Sequence, residues 1–259
     1  VTGYLDDVRH LSARVRFGVQ LAVCAGLLTV LNVPGWPELR PWGGLAAWAL
    51  AGCTLLAGAW WVNLFNFMDG IDGIASAQAL FMLVAASVLC VLADPSSGAS
   101  GEVGAMVCLA SAVAGFLALN WPPARIFMGD VGSTWAAFMV FALALATVRA
   151  GWMAPGAWAI LGAAFVADAT VTLLARMARG EPWRQAHRSH AYQRLSRRWQ
   201  GPRKAGHLRV TLLLLAVDML WLAPLAWACQ CWPGWTAAWV SLAYVPLAAA
   251  AFAAGAGRP

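Results

Sequence analysis

Charge is what this sequence has least of. Only 11% of its 259 residues are Asp, Glu, Lys or Arg, against about a quarter in an ordinary soluble domain. That scarcity argues against a water-soluble globule, a disordered tail and a nucleic-acid-binding module. Cysteine is sparse too, and six are too few for a disulfide framework. Cys24, Cys53, Cys90 and Cys108 lie inside apolar runs, where a thiol behaves as a small hydrophobe. Cys229-x-Cys231 has no second pair, which argues against a metal site there. No internal repeat and no low-complexity segment is found. Apolar residues fill the gap: 61% of the chain is hydrophobic, 16 residues are Trp, and the mean hydropathy is +0.68. This is a composition for a bilayer.

A helix crosses the hydrocarbon core with about 20 mostly apolar residues. By that measure the chain holds about eight runs, at roughly 17–33, 44–62, 74–93, 103–121, 131–148, 152–175, 210–228 and 235–254. The runs are continuous rather than alternating, which excludes a β-barrel. The expected fold is therefore all-α, a polytopic integral membrane helix bundle forming a single domain over 1–259. Only the sixth and seventh runs carry an acid, Asp168 and Asp218, for which a structural role is expected. With these spans, Arg9, Arg14, Arg16, Arg125, the ten basic residues of 176–209 and Arg258 fall on one side. Arg40 and Arg149 fall on the other, so the first side is expected to be cytoplasmic. Trp36, Trp42, Trp152, Trp232 and Trp235 fall at the opposite edge, at headgroup level. The short outer connections leave no room for an external domain.

The polar residues gather on the basic side. One loop reads Asn63-x-x-Asn66-x-x-Asp69-Gly70-Ile71-Asp72-Gly73. A helix cap needs one Asn or Asp, and this segment has four such residues. A second reads Phe127-Met128-Gly129-Asp130-Val131-Gly132-Ser133, where Asp130 alone would serve as a helix cap. Adjacent carboxylates, Asp6 and Asp7, stand near the start. The longest loop carries ten basic residues with His187, Arg188 and His190. Two His without a third ligand suit a pyrophosphate better than a metal. Mg²⁺ takes one or two carboxylates together with phosphates and water. Acids for a cation and bases for phosphates, on one face of a membrane protein, point to phosphoryl transfer to or from a lipid.

Together these motifs resemble the polyprenyl-phosphate N-acetylhexosamine-1-phosphate transferases, glycosyltransferase family 4. The resemblance rests on Gly3-Tyr4-Leu5-Asp6-Asp7, the Asn63–Gly73 and Phe127–Ser133 segments, and His187-Arg188-Ser189-His190-Ala191-Tyr192-Gln193. It is nearest to the type that initiates O-antigen and enterobacterial common antigen synthesis, a relative of the muramoyl-pentapeptide transferases. It implies Asp130 as the main Mg²⁺ ligand, with Mn²⁺ as a substitute, and Asp69 as the second essential carboxylate. It implies Asp6 and Asp7 as the pair that meets polyprenyl phosphate, and Asn66 and Phe127 as uridine contacts. His187, Arg188 and His190 would handle the sugar-nucleotide phosphates; Asn63 and Asp72 match the motif as further substrate-site residues. The partners so implied are a UDP-N-acetylamino sugar, undecaprenyl or another polyprenyl phosphate, and membrane lipid, with no nucleic acid; a homodimer is a further candidate. The implied location is the bacterial inner membrane, with the site on the cytoplasmic face.

Two departures matter. Muramoyl enzymes usually carry a run of histidines in the last loop and a Lys after the Asp pair; this chain has two separated His, and His10 at the Lys place. The family has two or three spans before the Asp pair, whereas this sequence starts with Val1 just ahead of Gly3-Tyr4-Leu5-Asp6-Asp7, so it is expected to lack two or three N-terminal helices of the family. The rival readings are a muramoyl-pentapeptide transferase, an inactive truncated remnant, and a transporter for an anionic solute. A transporter would place its acids near the midplane and show an inverted repeat.

Overall fold

The computed structural model describes residues 12–33, 43–181 and 188–258. Among them there is no strand. Every expected apolar run is a helix: α1 (Ala13–Val30), α2 (Gly43–Phe67), α3 (Ile74–Ala93), α4 (Gly101–Asn120) and α5 (Gly129–Arg149) come first. The sixth run is broken into α6 (Pro155–Leu161) and α7 (Ala163–Ala178), which meet at 70°. A short polar helix, α8 (Ala191–Arg198), follows. The seventh run is α9 (Ala205–Val217), a π-helical turn (Asp218–Leu222) and α10 (Ala223–Cys231); α11 (Thr236–Ala253) is the last.

The expected polytopic helix bundle is observed, with the sixth run bent rather than straight. Six of the described helices are long and apolar enough to cross a membrane, or seven if the bent pair counts as one. The remaining run is α1, only 18 residues long with Arg14 and Arg16 in its first turns. The sixth run reads as continuous because Gly162, at the break, sits among small and apolar residues.

α3 is the central helix, with 72% of its apolar window buried against 11% for α11. It packs on α4 and α9; α2 packs on α1 and α5, α7 on α11, and α6 on α10. One core runs through them, built on Phe65, Ile74, Leu83, Met106, Val140, Ile160 and Phe165. The outward faces of α9 to α11 present Leu212, Leu213, Leu220, Val245 and Phe252. In hydrocarbon such exposure costs nothing, because lipid tails are as apolar as leucine.

The π turn follows from Pro224. Proline has no N–H and its ring clashes with the carbonyl four residues back, and kinks of this kind accompany π-bulges. The wide turn buries Asp218 completely, with neither carboxylate oxygen hydrogen-bonded among the described residues. A carboxylate at the centre of a membrane helix costs about 2.5–3.5 kcal/mol on insertion scales. Asp218→Asn and Asp218→Leu are therefore expected to raise Tm in detergent by several degrees without changing turnover. A fall in Tm would reveal a partner for this side chain.

Candidate active site

The described motif residues meet at one end of the bundle. α2 delivers Asn63 and Asn66 on its last turns, and the chain then turns through Met68–Gly73 into α3. Asn66 Oδ1 accepts from Ser133 Oγ at 2.8 Å, which draws the end of α2 to the start of α5. Asn63 donates to Gln20 Oε1 of α1 and to the Ala59 carbonyl. Asp130, in the first turn of α5, faces the Arg16 guanidinium of α1 at 3.4 Å. Three helices thus converge on the two carboxylates that the sequence singles out.

Asp69 and Asp130 feel one another. Asp69 is half-buried, and its carboxyl is pushed up to about 7, first by burial and then by the negative charge of Asp130. Two acids that repel in a partly desolvated place are suited to a shared cation. Among the described residues no third His, Cys, Asp or Glu completes a cluster with them. For Mg²⁺ the pair is enough, since phosphates and water supply the other oxygens.

Asp72 behaves differently. It is 4% exposed. Its oxygens accept from the Ala124 N–H at 3.0 Å and from Lys204 Nζ at 2.8 Å, and lie 3.2 Å from His207 Nδ1. Thr211 Oγ1 donates to its carbonyl. Burial pushes the Asp72 carboxyl up, but the Ala124 N–H, the Lys204 bond and the positive charges around it prevail and hold it below the usual range. Its oxygens are thus engaged within the protein, and it ties the 68–73 turn to the 121–128 loop and to the start of α9. Asn120 adds a second tie: its Oδ1 accepts from the Gly73 N–H and from Ser76 Oγ, while its amide donates to the Ile126 carbonyl. Gly73 has φ +80°, a conformation that L side chains rarely adopt.

The last loop is held by Asp168. Its Oδ1 accepts from the Ala191 N–H at 2.9 Å and Thr172 Oγ1 at 3.0 Å; its Oδ2 accepts from the Tyr192 N–H at 2.9 Å. His190 Nδ1 lies 3.5 Å from the same carboxylate. The intramembrane acid therefore caps α8 and fixes the end of the loop. Tyr192 then donates its hydroxyl to the Phe67 carbonyl at 2.9 Å. A Cβ on Gly70 would strike that hydroxyl and stand 2.6 Å from the Gln193 amide; only glycine lets α8 sit on the Asp69 turn. The loop is also pinned from behind. Arg176 reaches Ser189 and Glu181, Arg179 donates to the Gly257 carbonyl, and the Gly257 N–H donates to the Ser189 carbonyl.

Of the sequence-derived site residues, Asn63, Asn66, Asp69, Asp72, Phe127, Asp130, Arg188 and His190 are described. Asp6, Asp7 and His187 lie outside the described residues. Phe127 is 71% exposed, with Lys204 Nζ over its ring at 5.6 Å. Arg188 is exposed, and its carbonyl accepts from Arg197. His190 is buried against Asp168 and Tyr192. Sequence reasoning missed Asn120, Lys204 and His207. Lys204 stands in a basic stretch that reads as a lipid anchor, and neither of the others belongs to a motif.

Comparison with known proteins adds a family. The pattern described as Glycosyl transferase family 4 matches residues 1–148. A "Probable undecaprenyl-phosphate N-acetylglucosaminyl 1-phosphate transferase" of Bacillus subtilis (strain 168) is 30% identical over 151 residues, which cover 56% of this chain and 40% of that protein. A "Phospho-N-acetylmuramoyl-pentapeptide-transferase" of Mycobacterium sp. (strain KMS) is 37% identical over 180 residues, covering 62% and 48%. One of the same description from Synechococcus sp. (strain RCC307) is 33% identical over 166 residues, covering 56% and 44%. The chain spans somewhat less than half the length of the curated relatives it matches.

Proposed function

Because the chain belongs to glycosyl transferase family 4, we propose that it transfers an N-acetylamino-sugar 1-phosphate from a UDP-sugar to polyprenyl phosphate. The products are a polyprenyl-diphospho-sugar and UMP, and the step opens the synthesis of an O-antigen-like envelope polysaccharide. The observation that carries this reading is the repulsive pair Asp69 and Asp130 at the meeting point of α1, α2 and α5. The site end is assigned to the cytoplasmic face of a bacterial inner membrane, on the strength of the arginine bias.

An oxygen of the lipid phosphate attacks the β-phosphorus. The new P–O bond forms as the bridging bond to the α-phosphate breaks, and UMP departs with that bridging oxygen. A phosphomonoester has a second pKa of about 6, so the nucleophile is largely ionised without a strong base. Asp6 and Asp7 are accordingly assigned to orienting the lipid phosphate. Asp130 and Asp69 would hold Mg²⁺, which when bound neutralises charge on the diphosphate. Asn66 and Phe127 receive the uridine. Arg188 and His187 are assigned to the sugar-nucleotide phosphates, and Asp168 holds the start of α8 that follows them in the chain.

The experiment is release of UMP by purified protein in lipid. Release from UDP-N-acetylglucosamine that requires both polyprenyl phosphate and Mg²⁺ is the expected result. Release indifferent to the lipid would overturn the reading. UDP-N-acetylmuramoyl-pentapeptide, assayed alongside, separates the two branches of this chemistry: turnover with that donor alone would assign peptidoglycan synthesis. The separated His187 and His190 favour the first donor.

The Mg²⁺ requirement has a predicted pH dependence. Asp69 must lose its proton to hold a cation, and its carboxyl is pushed up to about 7. Metal affinity therefore falls as pH drops through 7, and the half-saturating Mg²⁺ concentration rises about tenfold from pH 8 to pH 6. Mg²⁺ titrations of activity at pH 6, 7 and 8 measure it; a flat response would contradict the assignment of Asp69.

A further inference from the structure

Lys204 is held in place by an unfavourable backbone. Arg203 and Lys204 both have left-handed conformations, at φ 52° and 56°. For residues other than glycine this is unfavourable and persists only where the surroundings enforce it. The two residues precede α9 directly and aim one ammonium at two targets. Nζ is 2.8 Å from an oxygen of buried Asp72 and 5.6 Å from the centroid of the Phe127 ring. The Lys204 side chain is 43% exposed, so it is anchored at its tip but open to solvent.

We infer that Lys204 is a positioning residue that sets the Phe127 ring as a platform for a pyrimidine base. Phe127 stands 71% exposed. One face of the ring is taken by the ammonium, which leaves the opposite face for a planar ligand. The ammonium also holds the ring in one orientation, so that its other face is presented to a stacking base. Because Asp72 belongs to the turn that carries Asp69, the Lys204 bridge sets the distance between the base platform and the carboxylates that meet the phosphates. This inference rests on the proposed uridine role of Phe127.

The test uses the full chain in detergent with Lys204→Gln, which removes the charge but keeps a donor for Asp72, and Lys204→Arg, whose guanidinium serves both targets. Two quantities are read: transfer kinetics with UDP-N-acetylglucosamine, and equilibrium binding of UMP. Lys204→Gln is expected to raise KM for the nucleotide sugar and Kd for UMP about fivefold, the strength of an exposed cation–π contact, with kcat within about twofold. Lys204→Arg restores both. In a Phe127→Leu background Lys204→Gln adds nothing further, and UMP binding by Lys204→Arg, in wild-type and Phe127→Leu chains, gives the answer if Lys204→Gln folds poorly. Unchanged KM and Kd, a loss confined to kcat, or the same increment without the ring would each overturn the inference. The two readings fail separately. A wild-type protein that transfers normally and ignores Lys204→Gln refutes this inference and keeps the transferase. One that binds UMP through Lys204 but does not transfer refutes the reaction and keeps the inference. One that does neither refutes both.

Discussion

Asp130→Asn and Asp69→Asn will each lower turnover about a thousandfold, the scale on which electrostatic groups act in phosphoryl transfer. Both substitutions keep size and hydrogen bonding while removing charge, so they isolate the electrostatic contribution. They are expected to differ in stability. The Asp69 carboxyl is raised to about 7 in the folded chain, from an ordinary value of 3.8. Between those values the folded state binds more protons than the unfolded state, so stability falls as pH rises through that window and then levels off. Asp69→Asn removes this loss and flattens the pH profile of Tm while abolishing activity. Asp130 also faces Arg16 at 3.4 Å, so Asp130→Asn gives up that ion pair and gains less. UMP release and thermal melts at pH 5 and 8 test the pair. Near-normal turnover in either variant would remove the metal assignment.

Asp168→Ala is the second large effect, and it works at a distance. The carboxylate accepts two N–H groups of α8 and the Thr172 hydroxyl in a buried place. Hydrogen bonds to a charged group are each worth about 1.5–3 kcal/mol, and donors left unpaired add their desolvation. Losing three costs roughly 5–9 kcal/mol of local order. α8 then leaves the Asp69 turn, taking the Tyr192 contact with Phe67 with it. The expected signature is protease cleavage between α7 and α9 and loss of turnover, with the rest of the bundle still folded. Asp168→Asn, which can accept one N–H but presents an amide to the other, falls between. Wild-type resistance to protease in Asp168→Ala would show that the loop is held by other means.

How much of this is legible in the amino acids depends on where each cause lies. The spans are legible because bilayer thickness sets a length that apolar runs must meet, and the α3 bounds at Ile74 and Ala93 coincide with the expected 74–93. The 70° break at Gly162 is not legible, since only small and apolar residues stand at the break itself. The π turn at Asp218 is legible afterwards through Pro224. Asp69 and Asp130 lie close enough for their charges to interact because the turn after α2 and the start of α5 share one end of the bundle. Asp168 stands out as an acid within an apolar run, but its partners are backbone N–H groups of Ala191 and Tyr192, which leave no trace in side-chain identity. Lys204 is hidden for the opposite reason: its neighbours Arg197, Arg198 and Arg203 make it look like one more surface cation.

The Asp72 carboxylate bears on engineering. One buried acid joins the turn after α2, the loop before α5 and the start of α9. A chimera that borrows one of these segments from a relative would import a lysine, a histidine or a loop amide cut for a different counterpart. The three stretches are therefore exchanged jointly or not at all if the packing around this acid is to survive.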